Sequence, residues 1–273
     1  MSKQMIVAAN LTDLHREPSF LSEMLTQVFN GTMLEILEEK DRWCFVRQMD
    51  GYQGWAHRPY LTNSPAPAAT HIVCAPTCEI YPTATHDTPP ISRLLGGTEI
   101  RIEEERDGFS RVRPAGAMVP SGWVGTSQLR PFSMLPLAPT IARQQMLVDA
   151  RRLFGVYYLW GGNSAFGTDC SGLTSLLHRL SGYAIPRDAA LQFPAGRVVE
   201  PPFKPGDLLF FRSDNNPERI GHVGISTGEW NMIHSSRSRN GVYEEDVQAS
   251  EGLKATFAGA RRFVPRAGAA KSK

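Results

Sequence analysis

The chain has 273 residues, of which 29 are basic and 27 acidic, so its formal net charge is only +2. A hydrophobic fraction of 41% and a charged fraction of 21% are typical of a globular protein, and the length indicates about two domains, or three if some are small. The small net charge argues against nucleic acid or an anionic membrane as a partner.

No apolar run approaches the roughly 20 residues of a membrane-spanning helix. The first 20 residues turn polar after Met5-Ile6-Val7-Ala8-Ala9, too early for the apolar core of a secretory signal. We therefore expect a cytoplasmic protein without a membrane partner.

The first half of the chain contains an internal repeat. Residues 31–41 align with residues 97–107 at an offset of 66, and Gly54-Trp55 aligns with Gly122-Trp123 at an offset of 68. A small loop insertion explains the change of offset. Each copy alternates apolar and polar residues and then reaches a charged turn, which predicts hairpin-connected strands. We expect two small all-β barrels, at residues 1–65 and 66–132.

The repeated pattern, a Gly-Thr pair followed by Val-Arg and then Gly-Trp-Val or a close variant, resembles the bacterial SH3-like domain family. The resemblance covers about residues 5–132. It implies two SH3-like barrels, in agreement with the alternation of apolar and polar residues.

A proline-rich linker, with Pro131, Pro136 and Pro139, separates these barrels from a third domain at residues 133–273. Thr140 is the predicted N-cap of a helix over residues 141–154. The last residues, Arg266 to Lys273, form a small basic tail.

Four cysteines are few for this length, and a disulfide framework is not expected in the cytosol. Cys74 and Cys78 are four residues apart, which leaves a metal knuckle open. No second Cys/His pair lies at a matching distance, so structural cysteines are the favoured interpretation. We expect neither a metal nor an organic cofactor.

Cys170 directly precedes a helical pattern. Four leucines fall on one face of that helix: Leu173, Leu176, Leu177 and Leu180. Cys170 therefore lies at or next to the N-terminus of a buried helix. Free amide groups and the helix dipole there favour an anion, so we expect a lowered thiol pKa and a candidate nucleophile, with a structural cysteine as the alternative.

A thiolate nucleophile needs a base, and the base needs an orienting group. His222, in Gly221-His222-Val223-Gly224, and His234 lie 12 residues apart on two predicted consecutive strands. In a tight antiparallel hairpin both would point to one face and lie side by side. Each histidine alone is more often a core residue, but together with Cys170 they predict a catalytic site.

These residues resemble the NlpC-type cysteine peptidases, a bacterial branch of the papain-like fold. The matching segments occur in family order: Tyr158-x-Trp160-Gly161-Gly162, Asp169-Cys170-Ser171-Gly172-Leu173, Pro186-Arg187-Asp188 with Gln192, Pro205-Gly206-Asp207-Leu208, Gly221-His222-Val223-Gly224 and Ile233-His234. The resemblance implies the fold class α+β, with a papain-like catalytic domain preceded by the two barrels.

The resemblance also implies roles for individual residues. Cys170 is the expected nucleophile, His222 the general base, and His234 takes the orienting place that Asp or Asn fills in related peptidases. The backbone N–H of Cys170 and the side chain of Tyr158 would bind the oxyanion, with Tyr157 as the alternative to Tyr158. Three further residues of the matching segments are candidates for substrate binding: Trp160, Ser171 and Arg187. Pairing of Arg187 with a surface carboxylate is the alternative.

Family members hydrolyse the γ-D-glutamyl to diamino acid bond of peptidoglycan peptides. Two N-terminal SH3-like domains without an export signal resemble the recycling branch, which acts on small muropeptides such as L-Ala-γ-D-Glu-diaminopimelate. A closed pocket for the free L-alanyl ammonium needs polar partners. Asp188 matches the family position for this amine, and Tyr52 with Glu17 or Glu23 of the first barrel would complete the clamp. Ala189 departs from relatives that carry a hydroxyl residue there.

We therefore expect a monomeric cysteine endopeptidase of cell-wall recycling whose partner is a peptidoglycan-derived peptide. The identity of the diamino acid stays open. Two alternatives also stay open: a cell-wall-binding protein with an inactive peptidase domain, and an amidase or acyltransferase that acts on non-wall substrates with the same Cys–His–His residues.

Overall fold

The structure, a computed structural model, describes residues 3–265. The basic tail expected after residue 265 lies outside the described residues. The chain divides into two compact units, Met1–Met134 and Leu135–Lys273. The first unit contains both copies of the sequence repeat, and the second contains Cys170 and the two histidines.

The first copy of the repeat forms one antiparallel sheet in the order β3-β2-β6-β5-β4-β1-β7. Its strands are β1 (Gln4–Val7), β2 (Leu11–His15), β3 (Met24–Phe29), β4 (Met33–Lys40), β5 (Trp43–Arg47), β6 (Gln53–His57) and β7 (Leu61–Thr62). Every strand contributes to a single apolar core that includes Leu14, Leu34 and Val46. A sheet whose strands all face one core has to wrap around it, as in a small barrel.

The second copy repeats this arrangement with a split sheet. Strands β13-β12-β11-β8-β14 form one sheet, and β10 pairs with β9 in a second. The strands are β8 (His71–Val73), β9 (Thr77–Ile80), β10 (Ser92–Leu95), β11 (Glu99–Arg106), β12 (Phe109–Arg113), β13 (Gly122–Gly125) and β14 (Leu129–Pro131). Both sheets contribute to one core that includes Ile80, Ile100 and Val112.

The two copies share irregular features as well as strands. Each long strand ends in a turn that carries an aspartate with positive φ, 52° at Asp41 and 51° at Asp107. Both hairpins also have a register shift at the equivalent place, after Ile36 in β4 and after Ile102 in β11. Because bulges and turns of this kind are local and specific features, the sequence repeat corresponds to a structural repeat.

The second unit combines helices with a six-stranded antiparallel sheet in the order β17-β22-β18-β19-β20-β21. Its helices are α1 (Pro139–Arg151), α2 (Cys170–Leu180), α3 (Ala189–Ala195) and α4 (Glu251–Thr256). Its strands are β15 (Asn163–Ser164), β16 (Gly167–Thr168), β17 (Arg197–Val199), β18 (Leu208–Ser213), β19 (Asn216–Gly228), β20 (Asn231–Ser236), β21 (Gly241–Asp246) and β22 (Phe257–Arg262). Within residues 3–265 no helix is long and apolar enough to cross a membrane.

Helix α1 begins two residues earlier than the sequence predicts, at Pro139 instead of residue 141, and it ends at Arg151 instead of residue 154. Thr140 is not the N-cap: Ala138 takes that place without a side-chain hydrogen bond, and Pro139 is the first helical residue. Proline suits this position because its fixed φ is helical and it has no N–H that needs a partner. A capping hydroxyl was therefore not required.

A buried carboxylate fixes the start of β18 relative to α1 and β22. Asp207, which is fully buried, accepts hydrogen bonds from Arg262 Nε at 2.6 Å and Nη2 at 2.7 Å and from Arg143 Nη1 at 3.2 Å. It also accepts one from the backbone N–H of Lys204 at 2.9 Å. The Pro205-Gly206-Asp207 turn is thus held to α1 and β22, and β18, which pairs with the strand of His222, begins directly after it.

Helix α2 begins at Cys170, as the spacing of its leucines predicts. The four leucines of the stripe are all buried: Leu173, Leu176, Leu177 and Leu180. Asp169 is the N-cap, and its carboxylate accepts a hydrogen bond from the backbone N–H of Gly172 at 2.6 Å. This cap and the buried stripe together hold Cys170 in the first turn of the helix.

Gly172 lies where the first turn of α2 meets the preceding loop so closely that a Cβ would overlap the carbonyl oxygen of Gly162. Since that oxygen belongs to the backbone, Gly172→Ala would force the loop to move. We expect it to lower the free energy of unfolding by about 1–3 kcal/mol in urea denaturation.

Gly252 in α4 is the matched control, because a Cβ there meets no atom within 4 Å. Gly252→Ala is expected to raise the free energy of unfolding by about 0.5–1 kcal/mol through helix propensity alone. A Gly172→Ala protein as stable as the unmodified chain would contradict the close approach.

Candidate active site

The candidate nucleophile is buried between the loop before α2 and strand β19. Cys170 is 7% exposed. Its sulfur is hydrogen-bonded by the backbone N–H of Val223, the residue after His222, and by that of Ser171. The first turn of α2 therefore lies against the part of β19 that carries His222.

The two histidines are in direct contact. His222 Nε2 lies 2.8 Å from His234 Nδ1, and the rings are T-shaped with centroids 5.0 Å apart. His222 lies on β19 and His234 on β20, and His234 is 1% exposed. Gly224 leaves room for this pair, because a Cβ there would come within 3.2 Å of His234 Cβ. The structure thus brings Cys170, His222 and His234 together at one place.

Burial dominates the electrostatics of these three groups. It raises the pKa of the Cys170 thiol to about 12, an effect to which the charge of Asp169 adds and which the Val223 N–H and Arg187 oppose. Burial lowers the pKa of His222 to about 4 and that of His234 to about 2. The expectation of a lowered thiol pKa at the helix N-terminus is therefore wrong for the free protein, because burial, which disfavours the charged thiolate, has the largest effect on this pKa.

A neutral thiol beside a neutral imidazole has a chemical consequence. Cys170 is not a thiolate before the reaction begins, so His222 has to take the thiol proton as the sulfur attacks. Because Nε2 of His222 faces His234, its Nδ1 is the nitrogen left for this transfer.

Asp169 and Arg187 form a buried ion pair directly behind the nucleophile. Arg187 Nη2 lies 2.8 Å from Asp169 Oδ2, and Nη1 lies 3.0 Å from Oδ1, which makes the pair bidentate. Arg187 also donates to the hydroxyl of Ser171 at 3.0 Å and to the carbonyl of Gly162 at 3.2 Å. Asp169 Oδ2 in turn accepts from the backbone N–H of Gly161 at 2.8 Å.

Arg187 and Ser171, which the sequence predicts as substrate-binding residues, therefore hold Asp169 and the first turn of α2 in place. Arg187 is 6% exposed and pairs with a buried carboxylate, so the alternative of a surface partner is wrong. Ser171, also 6% exposed, holds its hydroxyl between Asp169 and Arg187. Both residues fix the first turn of α2, and neither presents an open face to a peptide.

The two tyrosines before α2 have different surroundings. Tyr158 is partly buried and close enough to Cys170 for their charges to interact, and burial raises the pKa of its hydroxyl. Tyr157 is 49% exposed and lies beside Gly167. This geometry favours Tyr158 as the hydroxyl next to the reacting sulfur.

Trp160 is 52% exposed near Tyr158, and an arginine that sequence analysis did not single out lies over both rings. The Arg237 guanidinium carbon is 5.4 Å from the Tyr158 ring centre and 5.7 Å from that of Trp160. Arg237 also hydrogen-bonds the Tyr158 side chain. It follows His234 by only three residues, a spacing that could have pointed to it.

A second residue missed from the sequence is Glu245 on β21. Its Oε2 lies 3.2 Å from Nε2 of His234. No spacing rule links the two positions, because their proximity depends on the register between β20 and β21.

The candidates for binding the substrate amine lie in both units. Asp188 caps the start of α3, where its carbonyl accepts the N–H groups of Leu191 and Gln192, and its side chain is partly buried. In the first unit, Arg16 Nε lies 2.7 Å from Glu23 Oε2, and Tyr52 and Glu17 also interact with this arginine. The three predicted first-barrel residues are thus gathered around Arg16.

Two parts of the chain match known families. Residues 155–262 match the NlpC/P60 family, and residues 14–58 match the bacterial dipeptidyl-peptidase SH3 domain. The first match contains all three residues of the Cys170, His222 and His234 group, and the second lies within the first copy of the repeat.

Curated relatives resemble the chain over most of its length. A γ-D-glutamyl-L-lysine dipeptidyl-peptidase of Bacillus cereus (strain ATCC 10987 / NRS 248) is 29% identical over 263 residues, which cover 89% of this chain and 76% of that protein. Dipeptidyl-peptidase 6 of Lysinibacillus sphaericus is 27% identical, over 87% of this chain and 89% of its own.

A solved structure has the same fold. The crystal structure of an NlpC/P60 family protein from Bacillus cereus ATCC 10987 superposes with a TM-score of 0.83 at 22% identity and covers 96% of this chain and 100% of its own. This likeness confirms the expected α+β class, an NlpC-type domain after an SH3-like β region.

Proposed function

Since the chain is an NlpC/P60 cysteine peptidase of peptidoglycan-related peptides and carries a bacterial dipeptidyl-peptidase SH3 domain, we propose that the bond it hydrolyses is the γ-D-glutamyl to L-diamino acid bond. One observation carries this proposal: Cys170 at the head of α2 lies against the strand of His222, which is 2.8 Å from His234. Two relatives that match most of the chain carry the name γ-D-glutamyl-L-lysine dipeptidyl-peptidase.

The proposed reaction uses these groups in order. His222 Nδ1 takes the proton of the Cys170 thiol while the sulfur attacks the γ-carbonyl carbon. The negative charge on the carbonyl oxygen is bound by the backbone N–H of Cys170 and the hydroxyl of Tyr158. As the C–N bond breaks, His222 returns the proton to the leaving amine of the diamino acid. Water, deprotonated by His222, then hydrolyses the thioester and restores the thiol.

The neutral resting pair fits this sequence of steps. A buried thiol with a raised pKa stays protonated until a substrate carbonyl is in place. The charge that develops is then transferred to the carbonyl oxygen rather than held on a desolvated sulfur. The free enzyme would therefore react slowly with simple alkylating reagents and faster with a peptide that fills the site.

The γ-linkage leaves the α-carboxylate of D-Glu free, a short distance from the scissile carbonyl. Arg237 is the cation that lies beside Tyr158 and Trp160, and a guanidinium suits bidentate recognition of a carboxylate. We assign Arg237 to this carboxylate, which would favour a γ-glutamyl residue over an ordinary peptide.

We further propose that the preferred substrates are free muropeptides from cell-wall recycling in the cytoplasm. In such peptides the L-Ala amine is free, and a cation in a closed pocket requires anionic or polar partners. The sequence predicts Asp188, Tyr52 and either Glu17 or Glu23 as these partners. The choice between the two glutamates and the identity of the diamino acid stay predictions.

The reaction is tested by mass spectrometry of L-Ala-γ-D-Glu-L-Lys and L-Ala-γ-D-Glu-diaminopimelate after incubation with the protein. We expect release of L-Ala-D-Glu, loss of this activity in Cys170→Ala, and little cleavage of the N-acetylated peptides. Cys74→Ala, which removes another buried thiol, is the matched control. Undiminished cleavage by Cys170→Ala would contradict the proposal. Equal cleavage of the acetylated peptides would contradict the amine clamp but not the peptidase activity.

Arg237→Gln tests the carboxylate assignment. A hydrogen-bonded charge pair contributes about 1.5–3 kcal/mol, so kcat/KM is expected to fall about ten- to a hundredfold, mainly through KM. With D-isoglutamine in place of D-Glu, whose amide carries no charge, the variant and the unmodified enzyme should act equally well. Arg219→Gln, at an exposed arginine of β19, should keep the preference for the carboxylate. A preference that survives in Arg237→Gln would contradict this assignment.

A further inference from the structure

The second ring nitrogen of His234 has an unusual environment. Its Nδ1 faces His222 Nε2 at 2.8 Å, but its Nε2 is buried and makes no hydrogen bond within the described part of the chain. The carboxylate oxygen Oε2 of Glu245 lies 3.2 Å from this nitrogen, within ion-pair distance although outside hydrogen-bond geometry. A buried N–H without a partner is costly, and a carboxylate can only accept.

The strand register explains why this carboxylate is there. In the antiparallel pair β20–β21, Met232 is opposite Glu245 and His234 is opposite Tyr243. Side chains alternate between faces, so Glu245 and Tyr243 lie on the face of His234, with Glu245 at the diagonal position. The Tyr243 ring is T-shaped to His234 at 4.5 Å between centroids.

Arg239 holds the other side of the carboxylate. Its Nη2 lies 3.9 Å from Glu245 Oε1, and its guanidinium carbon is 4.5 Å from the Tyr243 ring centre. Glu245 is thus confined between an arginine at the surface and a buried imidazole, with its side chain only 20% exposed.

We propose that Glu245 is a positioning residue that sets the tautomers of both imidazoles. Because the carboxylate accepts only, the nitrogen of His234 that faces it has to carry the proton, which leaves Nδ1 of His234 as an acceptor. The Nε2 of His222 then donates to it, and Nδ1 of His222 keeps the free lone pair required to deprotonate Cys170. The proposal rests on the catalytic roles assigned above to Cys170 and His222.

The same arrangement answers a difficulty with a histidine in the orienting place. A neutral His234 alone has no charge with which to stabilise the imidazolium that forms on His222. Glu245 places a negative charge next to His234, on the side of the ring that faces away from His222. Since burial lowers the pKa of both histidines, each ring carries one proton at neutral pH, and the acceptor at the end decides where it lies.

The kinetic test compares Glu245→Gln with Glu244→Gln. Glu244 is the neighbour on β21 whose side chain belongs to the opposite face and lies 3.6 Å from Arg151, so its substitution makes the same chemical change outside the site. We expect Glu245→Gln to lower kcat roughly ten- to a hundredfold with little change in KM. This decrease is smaller than the ~10²–10⁴-fold contribution of general-base catalysis as a whole. Glu244→Gln should retain the unmodified kcat, and both proteins should unfold at similar urea concentrations.

The tautomers are measured without substrate, by ¹⁵N NMR of the protein labelled at histidine. The unmodified protein should show both His222 and His234 protonated at Nε2, as should Glu244→Gln, whereas Glu245→Gln should show a mixture because an amide can donate as well as accept. His234 protonated at Nδ1 in the unmodified protein, or unchanged tautomers and kcat in Glu245→Gln, would overturn the proposal. If no γ-D-glutamyl peptide is cleaved, the proposed function fails, while the tautomers still decide the role of Glu245.

Discussion

The buried carboxylate of Asp169 is the interaction on which the site depends. It caps helix α2 through the N–H of Gly172, accepts the N–H of Gly161 from the preceding loop, and forms a bidentate pair with Arg187. The nucleophile is the very next residue, so one side chain fixes the helix, the loop and the direction of Cys170. Removing either member of such a pair would leave an uncompensated buried charge, which strongly destabilises a fold.

Burial keeps the reacting groups of this site in their neutral forms. The desolvation that raises the pKa of Cys170 is the same that lowers the pKa of His222, so the two groups stay neutral together. The proton moves only when a carbonyl oxygen is present to take up the negative charge and donors are already aimed at it. A site arranged in this way protects its thiol between turnovers and depends on the exact placement of its hydrogen bonds.

Much of the fold and the core of the site could be predicted from the sequence because the signals were local. The repeat indicated two similar β units, the leucine spacing placed Cys170 at or next to the N-terminus of α2, and two predicted consecutive strands placed His222 and His234 side by side. Arg237 and Glu245 could not be found in this way, since their place depends on hairpin register. The thiol pKa was predicted in the wrong direction because sequence gives the helix dipole but not the degree of burial.

The most direct test of the account uses L-Ala-γ-D-Glu chloromethyl ketone, whose γ-carbonyl takes the place of the scissile one and whose chloride leaves as a thiolate attacks. Peptide mass mapping is predicted to find one label per chain, attached to Cys170. The rate of labelling should be far lower in His222→Ala. Free L-Ala-D-Glu should slow the reaction by competition. Labelling of Cys44, Cys74 or Cys78 instead, or an equal rate in His222→Ala, would contradict the claim that Cys170 and His222 act together on a γ-glutamyl carbonyl.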